Sequence, residues 1–428
     1  MEKRTMTLTE IVFDGSNIAD AIDKVCANKG AGGIDGKSTE DFKNEFKEGK
    51  VNFVKIREEV LNRSYIPSPI RRVYIPKENG DKRGLGIPIV KDRVMEQAIV
   101  QVLTPIYEKQ FSETSFGFRP GRCPEMAITK ILEYFNDGYY WVVDIDLEKF
   151  FDTVCHDILI SIMETVKDGA LVSLIRKYLT AGVMENGVKI NTEVGTPQGG
   201  NLSPLLSNIM LNKLDKELEG RGLKFVRYAD DCMILVKSEK AANRVMKSIT
   251  RFIEKKLRLK VNISKSKVAK PEDIKYLGFG FSKDKEGIYR AKPHDKSIQK
   301  FVRKLKKITW RRYSISIAER IKSLNYVIRG WINYFKIADM KTAMKRIGQH
   351  IRRRIRMITW KQWKIPKKRI RRLIGLGIDK DEARALAYSR KGYWTCSQNP
   401  TINQAISNKL LEKMGLVFPL EHYEKVHI

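Results

Sequence analysis

Two carboxylates, Asp230 and Asp231, stand side by side in the run Phe225-Val226-Arg227-Tyr228-Ala229-Asp230-Asp231-Cys232-Met233-Ile234-Leu235, flanked by two apolar stretches of strand composition. A tight hairpin there would hold both acids at an exposed tip, which is half of a site for divalent cations. The run Trp141-Val142-Val143-Asp144-Ile145-Asp146 ends another apolar strand in acid and would supply the other half. Phosphoryl transfer from a nucleoside triphosphate builds negative charge on the attacking and leaving oxygens together, and two divalent ions about 3.5–4 Å apart stabilise both. Such ions are hard and take oxygen ligands, so Asp suits them better than His or Cys. Asp146 and Asp230 are the bridging candidates with Asp231 beside them, while Asp144 shares a strand face with Asp146 and competes with it.

Acids this far apart in sequence meet only if one sheet sets the strand ending near residue 146 beside the hairpin tip. Strand-like runs are expected at 141–146, 224–228, 232–236 and 275–281, interleaved with helices. Asp92 would cap a helix whose apolar Val94, Ala98, Val102 and Ile106 recur every four residues, with Pro105 to end or kink it. Ser203-Pro204 opens a second, with Leu206, Ile209, Met210 and Leu214 on one face and Gly220 and Gly222 to stop it. The pattern predicts an α+β fold with an antiparallel sheet covered on one face. Beyond residue 295 the chain reads as helical and basic: Leu324, Ile328, Trp331 and Phe335 form one apolar stripe, and Ile351, Ile355 and Ile358 another. Packing those stripes would leave Arg352, Arg353, Arg354 and Arg356 largely for the surface.

The charge balance points to a polyanionic partner. The 428 residues carry a formal net charge of +32, and 28 Lys/Arg against 4 Asp/Glu fall between Ala291 and Lys380, which predicts a domain joint near 285–295. Nucleic acid is favoured over membrane lipid, because no apolar run approaches the roughly 18 residues needed to cross a bilayer. The first residues lack a signal-peptide core, so a cytoplasmic location is expected. Five cysteines, an odd number without close pairs, suggest neither a disulfide framework nor a Cys-rich zinc site.

Taken in order, several segments resemble the successive blocks of bacterial group II intron-encoded reverse transcriptases and maturases. Asn28-Lys29-Gly30-Ala31-Gly32-Gly33-Ile34-Asp35-Gly36 is similar to that family's N-terminal extension. Arg71 to Lys77 and Arg83 to Pro88 resemble its first fingers block, and Ser115-Phe116-Gly117-Phe118-Arg119-Pro120-Gly121-Arg122 the second. Asp146 to Asp152 resembles the first palm motif, whose spacing to Phe151 favours Asp146 over Asp144. Gly195-Thr196-Pro197-Gln198-Gly199-Gly200-Asn201-Leu202-Ser203-Pro204 looks like the block beneath the templating base pair, and Tyr228-Ala229-Asp230-Asp231 like the catalytic box. Asn262-Ile263-Ser264-Lys265-Ser266 and Tyr276-Leu277-Gly278-Phe279-Gly280 resemble the next block and the primer grip. Arg329-Gly330-Trp331-Ile332-Asn333-Tyr334-Phe335 resembles the maturase thumb signature, with its aromatics expected in the core.

The resemblance implies an α+β right-handed polymerase: an N-terminal extension (1–70), fingers and antiparallel-sheet palm (71–290), an α-helical thumb (291–365) and a small basic DNA-binding domain (366–428). It implies RNA-directed DNA synthesis during intron mobility, two Mg²⁺ ions held by Asp146, Asp230 and Asp231, and a dNTP bound by Lys77, Arg83, Phe151 and Gln198. Phe151 would stand against the incoming sugar and reject a ribose 2′-hydroxyl, and Lys265 is a candidate proton donor to pyrophosphate. Arg119, Arg122, Arg352, Arg353, Arg354 and Arg356 would contact nucleic acid. The implied partners are intron RNA, an RNA template with DNA primer, and a DNA target, with no membrane; a homodimer is left open. No His/Cys-rich endonuclease domain is expected, as in the short members of the family that it resembles. The alternatives are an RNA-binding splicing cofactor without polymerase activity, or a reverse transcriptase recruited to host defence.

Overall fold

A computed structural model describes residues 6–76, 80–163, 166–185, 187–191, 194–196 and 199–427. Among them the strands are, in chain order, β1 (Ile70–Pro76), β2 (Lys82–Ile87), β3 (Trp141–Ile145), β4 (Val183–Glu185), β5 (Val188–Ile190), β6 (Lys224–Tyr228), β7 (Asp231–Val236), β8 (Lys267–Ala269), β9 (Phe279–Lys283) and β10 (Tyr289–Pro293). The chain divides into two compact units, Met1–Lys270 and Pro271–Ile428.

The first unit is built around an antiparallel sheet of order β6-β7-β3-β8. Strand alternation sends Val143, Ile145, Phe225, Cys232 and Ile234 into a helical core. On the opposite face Val142, Val226, Met233 and Leu235 are also buried. The sheet is therefore covered on both faces at its apolar end, where one covered face was expected. The helix Ser203–Gly220 begins with Pro204 in its first turn and buries Leu206, Ile209, Met210 and Leu214, as its pattern predicts. The helix Val90–Glu108 starts two residues before Asp92 and runs through Pro105. Asp92 is no cap: it is buried, accepting from the Tyr65 hydroxyl at 2.6 Å and the Ser68 N–H at 3.0 Å. Residues of the N-terminal helix Gly15–Ala27 share this core. A second, mixed sheet has the order β2-β1-β4-β5, with β1 and β2 antiparallel and β1 and β4 parallel.

The second unit opens with the β9–β10 hairpin and continues as helices. It begins earlier than the charge break at 285–295, because β9 is held by the helical residues that follow it. The Phe279 and Phe335 ring centroids are 4.7 Å apart, and Asp339 N–H donates to the Ala291 carbonyl at 2.8 Å. The strand expected over 275–281 starts only at Phe279, since Leu277 (φ 48°) and Gly278 (φ 85°) turn the chain. Phe301 and Trp331 stack at 4.3 Å and Trp331 meets Phe335 at 4.5 Å, so Phe335 is core and Trp331 is half-buried against it, while Tyr334, also expected in the core, is exposed. The five cysteines are free. No helix among the described residues is long and apolar enough to cross a membrane.

Candidate active site

β6 and β7 pair from Lys224↔Leu235 to Tyr228↔Asp231, leaving Ala229 and Asp230 as a two-residue turn. Such turns match the twist of their strands when a central residue has positive φ, and Ala229 supplies it at 57°. A side chain in that region costs on the order of 1 kcal/mol, so surrounding contacts must maintain it.

β3 pairs with β7 through Asp144↔Met233 and Ile145↔Cys232. One further step of that register sets Asp146 across from Asp231, on the face that also carries Asp144. Asp146 is fixed from its other side by the 262–266 segment. Its N–H donates to Ser266 Oγ at 3.0 Å, and its carbonyl accepts from Asn262 N–H at 2.8 Å. Lys265 Nζ lies 3.7 Å from Asp146 Oδ1. The sequence singles out Lys265 there but not Ser266 and Asn262, whose hydroxyl and N–H bond to the Asp146 main chain, a contact that residue type does not advertise.

The acids crowd one another. Asp231 is exposed at its outer edge, yet burial of its carboxyl, followed by Asp230, Asp144 and Asp146, pushes its pKa up to about 7. Burial raises Asp144 to about 6, with Lys267 opposing and Asp146 adding to the shift. Among the described residues no three His, Cys, Asp or Glu groups meet the geometry of a metal cluster. The donor set nonetheless fits a hard cation: the acids offer carboxylate oxygens, their mutual repulsion is relieved by positive charge, and an ammonium already stands beside Asp146.

A cavity of about 360 Å³ opens beside Phe151, lined by Arg72, Lys82 and Lys149 among others. Phe151 is buried, meets Phe150 edge-to-face at 5.3 Å and also lines this cavity, so it is core and wall at once. Gly195 (φ 95°) packs on the same corner: a β-carbon there would come within 2.9 Å of the Phe151 carbonyl oxygen, and the next residue's N–H, that of Thr196, donates to that carbonyl at 2.6 Å. Lys82, Gly84 and Gly86 face the cavity, so alternation puts exposed Arg83 on the opposite face of β2. Lys77 and Gln198 lie outside the described residues. Arg72, Lys82 and Lys149 were not foreseen. In a chain this basic only the strand register and the cavity single them out.

The arginines expected at a nucleic-acid surface are largely spoken for inside the protein. Arg119 is buried, paired with Glu108 at 2.6 Å and donating to the Ser112 and Ser115 carbonyls, so it is not a surface cation. Arg122 pairs with Glu113 and its guanidinium sits over the Phe116 ring. Arg352, Arg353, Arg354 and Arg356 are half-buried, which corrects their expected surface placement. Arg353 lies 3.6 Å from the Trp394 ring centroid and Arg352 5.3 Å from that of Phe418. Arg354 donates to Thr309, and Arg356 to the Ile406 carbonyl. Planar guanidinium forks satisfy carbonyls and stack on rings, which a run of positive charge does not reveal in sequence.

Residues 75–281 match the family model described as reverse transcriptase (RNA-dependent DNA polymerase), and residues 298–374 match the group II intron, maturase-specific domain. The chain is 32% identical over 311 residues to protein YkfC of Escherichia coli (strain K12), covering 63% of this chain and 81% of that protein. It is 40% identical over 211 residues to the group II intron-encoded protein LtrA of Lactococcus lactis subsp. cremoris, covering 48% of this chain and 34% of LtrA. Nuclear intron maturase 2, mitochondrial, of Arabidopsis thaliana is 29% identical over 204 residues, 38% of this chain and 28% of that protein. The chain thus spans most of YkfC but about a third of the other two.

Proposed function

The chain belongs to the group II intron reverse transcriptase and maturase family, and from that premise we propose that it copies RNA into DNA at the acids of β3 and the β6–β7 turn. The observation that carries this reading is the β3–β7 register, which runs to Ile145↔Cys232 and so carries Asp146 toward Asp231, with Asp230 at the turn between β6 and β7 and the charges of Asp230, Asp144 and Asp146 acting together on Asp231. Mg²⁺ held by Asp146, Asp230 and Asp231 would neutralise charge on the triphosphate and favour the deprotonated primer 3′-hydroxyl. The cavity beside Phe151 suits the incoming nucleotide, with Arg72, Lys82 and Lys149 as cations for its phosphates. Phe151 would crowd a ribose 2′-hydroxyl and so select deoxynucleotides.

The basic second unit fits a further role in binding intron RNA and assisting its splicing. Shape and backbone recognition of folded RNA suits a broad cationic surface. The intron, template and DNA target are those the family reading implies.

Primer extension on an RNA template with Mg²⁺ is the test. Wild type should make cDNA, and Asp230→Ala with Asp231→Ala should abolish synthesis while leaving RNA binding within about twofold, since neither acid is a cation that displaces counterions from the RNA backbone. Splicing assistance without cDNA from wild type would instead identify an RNA-binding cofactor.

A further inference from the structure

Arg227 sits one residue before the Tyr-Ala-Asp-Asp box, on the core face of β6, and its side chain is fully buried with that of Asp215. A guanidinium taken out of water must have its donors satisfied. Here Nε and one terminal nitrogen form a fork on the Asp215 carboxylate, at 2.7 and 2.6 Å. The other terminal nitrogen donates to Asn208 Oδ1 and to the Ala229 carbonyl, both at 2.9 Å. Asn208 and Asp215 are two turns apart on the helix Ser203–Gly220, so they present one face to the arginine. The fork thus holds, within the turn, the main-chain carbonyl of the strained residue, Ala229.

The turn is also backed by a second segment. Arg227 N–H donates to the Thr114 carbonyl and Phe116 N–H to the Arg227 carbonyl, at 2.9 and 2.8 Å. Asn208 Nδ2 then donates to the Gly117 carbonyl at 2.9 Å. A β-carbon on Gly117 would lie 2.2 Å from Ala229 N, so only glycine allows this backbone to lie against the turn. Arg227 is thus joined to the 115–122 block, the helix that begins at the end of the 195–204 block, and the acidic box.

We propose that Arg227 is a positioning residue for the Asp230–Asp231 turn: anchored by Asp215 and Asn208, it holds the Ala229 carbonyl against the Gly117 backbone and so sets where the two carboxylates point. This rests on the proposed polymerase reading, because it assigns those carboxylates to metal binding. A buried ion pair is weak as a stabiliser compared with an apolar pair of similar volume. Aim, rather than stability, is the property that a fork with three anchored partners supplies.

The test compares wild type, Arg227→Lys, the paired Arg227→Met with Asp215→Leu, and Gly117→Ala in the full chain. Three quantities are measured: melting temperature, primer-extension kcat and KM for dNTP, and Mn²⁺ binding by titration without substrate. Misplacing reacting groups by about 1 Å can cost on the order of 100-fold, so that drop in kcat is expected for the Met/Leu pair and for Gly117→Ala, with KM nearly unchanged. Arg227→Lys, which keeps the charge but not the three-way fork, should restore part of the loss. Mn²⁺ affinity should weaken in the same order. Full kcat and full Mn²⁺ affinity in either folded variant, or losses no larger than the unfolded fraction, overturn the proposal. If wild type makes no cDNA, the polymerase reading fails, and the Mn²⁺ titrations still decide whether Arg227 aims the acids.

Discussion

A buried arginine and an exposed one are the same letter in a sequence, and Arg119 shows what separates them. Its guanidinium is surrounded by Glu108 and two carbonyls, with its side chain 2% exposed. Removing it strands buried acceptors, so Arg119→Ala should cost about 3–5 kcal/mol in stability, read by denaturant melts, while RNA affinity of the folded fraction stays the same. A surface phosphate contact would give the reverse: intact stability and weaker binding. Phe151 makes the complementary case, a residue at which packing and chemistry coincide. Phe151→Val keeps an apolar residue on that corner and opens room beside the cavity. Loss of a steric contact of that size should raise ribonucleotide incorporation relative to deoxynucleotide by about 10- to 200-fold in single-nucleotide extension. Unchanged selectivity would leave Phe151 with its core role alone.

At the scale of elements, what was legible followed from period and position. The β6–β7 hairpin declared itself through two strand-like runs around a two-residue turn, and the helix Ser203–Gly220 through its Pro start and apolar spacing. Arg227 did not, because its parity puts it on the core face, where a charged residue makes sense only once Asp215 and Asn208 are known to meet it. The 352–356 arginines were misjudged for the same reason: their partners Trp394, Ile406 and Phe418 are distant in sequence. Nothing in the sequence singles out Glu96, in the helix Val90–Glu108. It is buried and accepts from Asn201 N–H at 2.6 Å and Leu202 N–H at 3.4 Å, so it holds the turn that leads into the helix Ser203–Gly220. Burial, then Asp92, raises its carboxyl to about 7 from an ordinary 4.5. The fold therefore prefers the protonated acid: that stability is fully present below pH 4.5 and lost as pH rises through 7. Glu96→Gln removes the titration but keeps an acceptor for Asn201. Melts of the two proteins from pH 5 to 8 should show wild type falling relative to the variant by up to roughly 3 kcal/mol, and parallel curves would mean that Glu96 stays ionised throughout.

Over the whole molecule, the net charge of +32 is meaningful only for cations that face water. The helix Asp295–Ile308 buries Phe301 and Leu305 and leaves Arg303, Lys304 and Lys307 exposed, whereas Arg353 stacks on Trp394. Both groups count equally in a sequence total, but the first presents its charges to water, where they are placed to displace counterions from RNA. Log affinity for RNA should fall linearly with log salt, and each lost phosphate contact should flatten that slope by roughly 0.7–0.9. Replacing Arg303, Lys304 and Lys307 together by Ala should therefore flatten the slope by about 2 to 3 with little change in melting temperature. Arg353→Ala should do the opposite, lowering the melting temperature through the lost ring contact while leaving the slope of the folded protein intact. Filter-binding titrations from 50 to about 400 mM salt separate the two outcomes, since a range that wide spans most of a decade in ion concentration. An equal slope for the triple variant and wild type would move the RNA-binding face off this helix to another part of the chain.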